Sequence, residues 1–88
     1  MAGFQGMDVE AVRSLAQQMN AKADEIEQLS STLSSQLDGT QWVGQDAAGF
    51  RGEWSGAHRS QLAGVANALR EASRAASNNA NQQEQASA

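Results

Sequence analysis

One break in an otherwise helical pattern constrains this chain most. It is the stretch Asp38-Gly39-Thr40-Gln41-Trp42-Val43-Gly44, near the middle of 88 residues that contain no proline. Without proline, helices can run uninterrupted. Two glycines among polar residues stop them at this one place. A turn has no need of a tryptophan, whose large apolar ring is costly to leave wet. Trp42 therefore marks the turn as a packing or recognition element, and the chain reads as all-α: an antiparallel helical hairpin.

The first helix is expected over residues 8–37. Asp8 is suited to cap it, and Glu10 in the first turn suits the helix dipole. Val12, Met19, Ile26 and Leu33 recur every seventh residue, Leu15 and Leu29 fill the intermediate position, and Ala16, Ala23 and Leu37 widen the stripe. That is a heptad pattern over nearly four repeats, interrupted at Lys22 and Gln36. Such a helix is about 45 Å long at 1.5 Å per residue. Something equally long must cover its stripe. Serines and threonine at 30–32 and 34–35 weaken its end, and Gly39 is the expected terminator.

The second helix is expected over residues 45–77, after a turn spanning 38–44. Its stripe is Ala47, Phe50, Trp54, Ala57, Leu62, Val65, Leu69, Ala72 and Ala76, linked by steps of three, four or five. Gly49, Gly52, Gly56 and Gly64 lie inside it, each costing about 1 kcal/mol relative to alanine. Two readings stand: small residues admit a neighbouring helix, or the segment stays loose until a partner docks. Residues 1–7 are expected to be a flexible N-terminus and 78–88 a flexible tail, since neither holds enough apolar surface to order itself.

Chemistry is sparse. There is no cysteine, so disulfides and thiolate metal sites are excluded. His58 is the only histidine, and the acidic run Asp24, Glu25, Glu27 reads as a solvated helix face rather than a catalytic pair. No nucleophile has a base at a usable spacing. The chain is read as a non-enzyme with no cofactor and no metal. Ten acids against six bases give a net charge of −4, which disfavours both nucleic acid and anionic membrane as partners. No segment is apolar for long enough to span a bilayer. Residues 1–7 carry neither a basic residue nor an apolar run, and so do not read as a secretory signal.

What remains is surface. Trp42, Phe50 and Trp54 gather at the closed end of the hairpin, either as a small core sealing the turn or as a patch that a partner covers. Phe4 lies toward the open end. In two hairpins packed antiparallel, Phe4 and Met7 of one are expected to cover Trp54 or Trp42 of the other. The expected packing and dimer interface comprises Val12, Leu15, Met19, Ile26, Leu29, Leu33, Phe50, Trp54, Leu62, Val65 and Leu69.

With two long helices flanking Trp42-Val43-Gly44, and with Ala47, Phe50 and Trp54 opening the second, residues 8–80 resemble the WXG proteins. These are the small, early-secreted-antigen-like substrates of type VII (ESX) secretion. The resemblance implies helical hairpins that pair as homodimers or heterodimers into four-helix bundles. It implies export without an N-terminal signal peptide, recognition by the membrane-bound ATPase of the secretion machine, and effector, virulence-associated or chaperone roles. It makes Trp42 and Gly44 the turn motif. Members usually carry Tyr-x-x-x-Asp or Tyr-x-x-x-Glu after the second helix, but this chain has no tyrosine. Asn78 and Gln82, or Ala80 and Glu84 in the slipped register, stand at that place. Either a partner supplies the signal or the segment through Glu84 is a divergent one.

The expected function is that of a secreted substrate acting through protein–protein binding as a dimer. The alternative is a non-secreted hairpin adaptor or chaperone for a secreted partner. A single hairpin covers only one flank of each stripe, and a Leu-sized side chain is worth roughly 1.5–3 kcal/mol when buried. The lone chain is therefore expected to be unstable.

Overall fold

The computed structural model describes residues 6–87, and these form an antiparallel helical hairpin with no strand among them. The first arm is α1, Val9–Gly39. The second arm comprises α2, Gln45–Glu53, a π-helical turn, Trp54–His58, and α3, Arg59–Ser87. The result is a rod of 65 × 19 × 16 Å. Phe4 and the rest of the first five residues lie outside the described part, as does Ala88.

Asp8 starts α1: its backbone is extended, and its carboxylate accepts from the Ala11 N–H at 3.1 Å. The helix runs past the expected end at Leu37. Gly39 remains helical, and the residue that ends α1 is Thr40, whose extended backbone turns its N–H onto the Leu37 carbonyl while its hydroxyl donates to the Gln36 carbonyl at 2.6 Å. The link is thus shorter than 38–44 and comprises residues 40–44. Gly44 closes it with φ +119° and ψ −178°, a conformation open essentially to glycine alone.

The second arm is not one α-helix. The Arg59 N–H bonds to the Trp54 carbonyl, five residues back, and one extra residue is accommodated in that turn. The step of five between Ala57 and Leu62 in the apolar stripe falls at this turn, where the extra residue shifts one part of the stripe relative to the other.

The arms meet along small residues. Ala16, Ala23 and Ser30 on α1, and Ala66, Ser73 and Ala80 on α3, are the residues that α1 and α3 bury, each set spaced by seven. Their size lets the helices approach closely enough for the Ser73 hydroxyl to donate to the α1 backbone carbonyl of Ala16 at 2.7 Å. The four glycines of the second arm are not responsible. A methyl group added at Gly49, Gly52, Gly56 or Gly64 meets nothing within 4 Å, so within this chain they admit no neighbouring helix.

The expected tail is likewise corrected. α3 continues through Ser87 rather than fraying at 77, because Ala80 extends the small-residue seam and is fully buried. Arg13 then ties the end down, donating to Asn81 Oδ1 at 2.9 Å and to both carboxylate oxygens of Glu84 at 2.9 and 3.2 Å. The composition of residues 78–87 is polar, but Ala80, the residue set into the seam against α1, is not.

Candidate interaction surface

The seam divides the hairpin into two long faces. On a helix, positions one before and three after a seam residue share one flank, and positions four after share the other. The second flank is polar on both arms. Arg13 pairs with Glu84, and Arg70 donates to Asp24 at 2.8 Å and to Glu27 at 2.6 Å. The hydrogen bond from Arg13 holds the Glu84 carboxyl below its ordinary pKa, and the hydrogen bonds that Arg70 donates to Glu27 and Asp24 raise its own. The acidic run is therefore not simply solvated, because two of its members hold the arms together on this side.

The first flank is apolar on both arms. Val12, Met19 and Ile26 of α1 and Leu62 and Leu69 of α3 are half-buried beside the seam. Outside them stand Leu15 (48% exposed), Leu29 (50%), Leu33 (37%) and Val65 (51%). The small residues that bring the arms together leave these larger ones without cover. The residues expected to form one interface are thus divided. Half of them border the hairpin's own seam, and the rest form an open apolar face along its length.

At the closed end, three aromatic residues are held from both arms. Trp54 donates its indole N–H to Ser34 Oγ at 2.8 Å, and the Ser34 hydroxyl donates to the Ser30 carbonyl at 2.8 Å. Trp42 and Phe50 lie with ring centroids 5.5 Å apart and planes tilted by 51°. They remain 38% and 46% exposed, so the cluster is both a seal for the turn and an open patch. Beside it, Leu33, Gln36, Leu37, Phe50 and Trp54 line an almost wholly apolar pocket of about 280 Å³ on the apolar flank. A second cleft, of about 330 Å³, is lined by Glu27, Ser30, Ser31, Arg59 and Ala63 with Ile26 and Leu62. It is more polar and lies where Arg59 faces Ser30 across the seam.

Arg51 organises the turn. Its guanidinium donates to the carbonyls of Trp42 (2.7 Å), Thr40 (3.0 Å) and Leu37 (3.2 Å), and lies 6.0 Å from the Trp42 ring centre. It serves as the positive cap at the C-terminus of α1, where carbonyls lack helical partners. The sequence offers no periodic signal for this role. Arg13 escaped for a different reason: its partners lie in the segment expected to be a tail.

Of the other candidates, Gly44 is placed by its backbone, while Val43 between the motif residues is 89% exposed. Asn78 and Gln82 point outward on α3, whereas Glu84 is committed to Arg13. His58 is exposed, with its ring 6.2 Å from that of Trp54. Among the described residues no three His, Cys, Asp or Glu side chains form a metal-binding group, and no helix is long and apolar enough to cross a membrane. Comparison of the chain with known protein families, with curated proteins and with solved structures finds no match in any of the three.

Proposed function

We propose that this protein works by protein–protein binding, pairing its apolar face with that of another helical hairpin to form a four-helix bundle. The observation that carries this reading is the uncovered row Leu15, Leu29, Leu33, Phe50 and Val65 on one side of a rod. Each buried alanine methyl in the seam is worth only about 0.8 kcal/mol, while a Leu left half-wet forgoes about as much again or more. A hairpin built this way gains most of its apolar burial from its partner.

The cellular role proposed is that of a WXG-type substrate or effector of type VII secretion, exported as a pair. Its support is the combination of hairpin, central Trp42-Val43-Gly44 turn and uncovered face. The commitment of Glu84 to Arg13, together with the lack of tyrosine, favours a partner subunit as the source of the export signal. The second reading, a non-secreted adaptor or chaperone, is favoured by the same lack.

Light scattering tests the binding claim: the purified chain alone, or mixed with its partner, should run as a pair, and Leu29→Glu should reduce it to single hairpins. A monodisperse single hairpin, with melting independent of concentration and no partner recovered, would sink it. Expression in a type VII-competent cell, with and without the secretion ATPase, separates the cellular readings. ATPase-dependent appearance in the medium supports the first, and retention with the partner supports the second.

A further inference from the structure

We infer that the cleft around Arg59 is a binding site for a small amphiphilic carboxylate, with Arg59 holding the charged head and Ile26, Leu62 and Ala63 the apolar body. This goes beyond the binding reading above and rests on different residues. The seam shows why a cleft stands here. Ala16 lies opposite Ser73. Seven residues up α1 and seven down α3 set Ala23 opposite Ala66, and seven more set Ser30 opposite Arg59. The first two layers close on small side chains, all four of them buried. In the third an arginine stands where the other layers have a small residue. It remains exposed, and a cleft of about 330 Å³ opens between the arms.

The chemistry of the lining selects an anion. Arg51 is committed to three carbonyls at the turn, whereas the Arg59 side chain makes no hydrogen bond or ion pair with any described residue. The hydroxyls of Ser30 and Ser31 line the same cleft and are likewise free to donate. Glu27 is the only acid in the lining, and its carboxylate already accepts from Arg70 at 2.6 Å. An uncommitted guanidinium beside two hydroxyls matches the planar, acceptor-only carboxylate group.

Size and walls select the rest of the ligand. At roughly 30 Å³ for each water-sized group, the cleft holds about ten non-hydrogen atoms. Ile26 and Leu62, both half-buried, give the body an apolar wall, and the small side chain of Ala63 leaves it room. Both walls are continuous helix, whose backbone groups are already bonded within the arm. An extended peptide would find no strand edge to pair with there, and a short-chain carboxylate needs none. With so few atoms in contact, the affinity is expected in the millimolar range.

Octanoate tests this, with the amide chemical shifts of the full chain followed as its concentration rises. Saturable shifts should centre on residues 26–31 and 59–63. Arg59→Gln removes a side chain that has no partner in the fold, so it should weaken binding roughly tenfold and leave the melting temperature unchanged. Ala63→Phe should weaken binding similarly by filling the cleft while Arg59 is kept. Octanol, the tail without the charge, and inorganic phosphate, a charge without the tail, should each bind more weakly than octanoate. Shifts centred on Leu33, Leu37, Phe50 and Trp54, and insensitive to Arg59→Gln, would place the ligand in the apolar pocket and overturn the inference. So would a titration that never saturates. Phosphate or octanol binding as tightly as octanoate would also overturn it, because head and tail would not then be read together. Self-association moves amides in ligand-free samples as protein concentration rises, so the pairing reading stands or falls separately from this one.

Discussion

Trp54 and Ser34 join the two arms through one hydrogen bond, 2.8 Å from indole nitrogen to hydroxyl oxygen, twenty residues apart in the chain. Ser34 is held in turn by the Ser30 carbonyl. The bond accounts for a polar residue at a half-buried position of α1. Ser34→Ala leaves the indole N–H without its acceptor and should destabilise the hairpin by about 0.5–1.5 kcal/mol, the net worth of a typical hydrogen bond. Thermal melting of the variant, with Trp54 emission followed in a Trp42→Phe background, checks both the loss and its location.

Arg51 should prove hard to replace. One planar guanidinium serves three carbonyls that diverge from the end of α1 and the turn. A lysine ammonium carries the charge but not the fork. Arg51→Lys and Arg51→Ala should both lower stability, by about 1–2 kcal/mol, toward the low end for bonds to a charged group because the side chain is partly wet. Equal stability of Arg51→Lys and the parent in urea titration would show that charge alone caps the helix.

Gly44→Ala tests the turn through its backbone. At φ +119° with no neighbour within 4 Å, the obstacle to a methyl group is conformational rather than steric contact. The cost should be about 1–3 kcal/mol. Gly49→Ala, in a helix and facing open space, should instead stabilise by about 0.4–1 kcal/mol. The two glycine substitutions therefore differ in sign, and denaturant midpoints would show it.

Much of this fold is legible in the residues. The absence of proline, the heptads of α1, the single break and the cap at Asp8 all point to two arms and one turn. The seam was not legible as such, because the largest apolar residues mark a stripe, and it is natural to place the partner arm against them. The partner arm in fact packs against Ala16, Ala23 and Ser30, one helical step aside. Hydrophobicity ranks these below Leu15 or Leu29, but close approach depends on small size. The end of α3 is hidden from the composition for the same reason. Residues 78–87 look too polar to order, yet one buried alanine and one arginine clasp are enough when the facing helix is already there. The π turn left a trace in the step of five, but such a step is also found in an imperfect α stripe.

Acid should loosen the end of α3 first. Arg13 depresses the pKa of the Glu84 carboxyl, so the folded state binds the proton less readily than the unfolded chain does. The clasp's contribution is fully present above the ordinary glutamate pKa, about 4.3, and is lost as pH falls through the depressed folded value. Amide exchange across residues 78–87 should rise on acidification, beyond its intrinsic pH dependence, before that of residues around Ala66. Glu84→Gln should show the faster exchange already at neutral pH, with no further acid response in that segment.

The strongest test sets the seam against the open face. Ala23 is wholly buried in the seam of α1 and α3, and Leu29, nearly two turns on, is half-exposed on the apolar flank. Hydrophobicity alone predicts that Ala23→Leu stabilises and Leu29→Ala destabilises the hairpin. Packing predicts otherwise. Extra methylene groups in a tight seam force the helices apart at about 1–3 kcal/mol, and the Ser73–Ala16 bond is strained with them. Leu29→Ala removes mostly wet surface from a single hairpin, a change within about 0.5 kcal/mol, but takes a large side chain from the face that meets a partner. Measured at a concentration low enough to hold single hairpins, Ala23→Leu should melt earlier and Leu29→Ala should not. At high concentration, Leu29→Ala should lose the gain in melting temperature that pairing gives the parent. If Ala23→Leu proves the more stable chain, the arms are not in close contact along their small residues, and the apolar face is not free to serve another molecule.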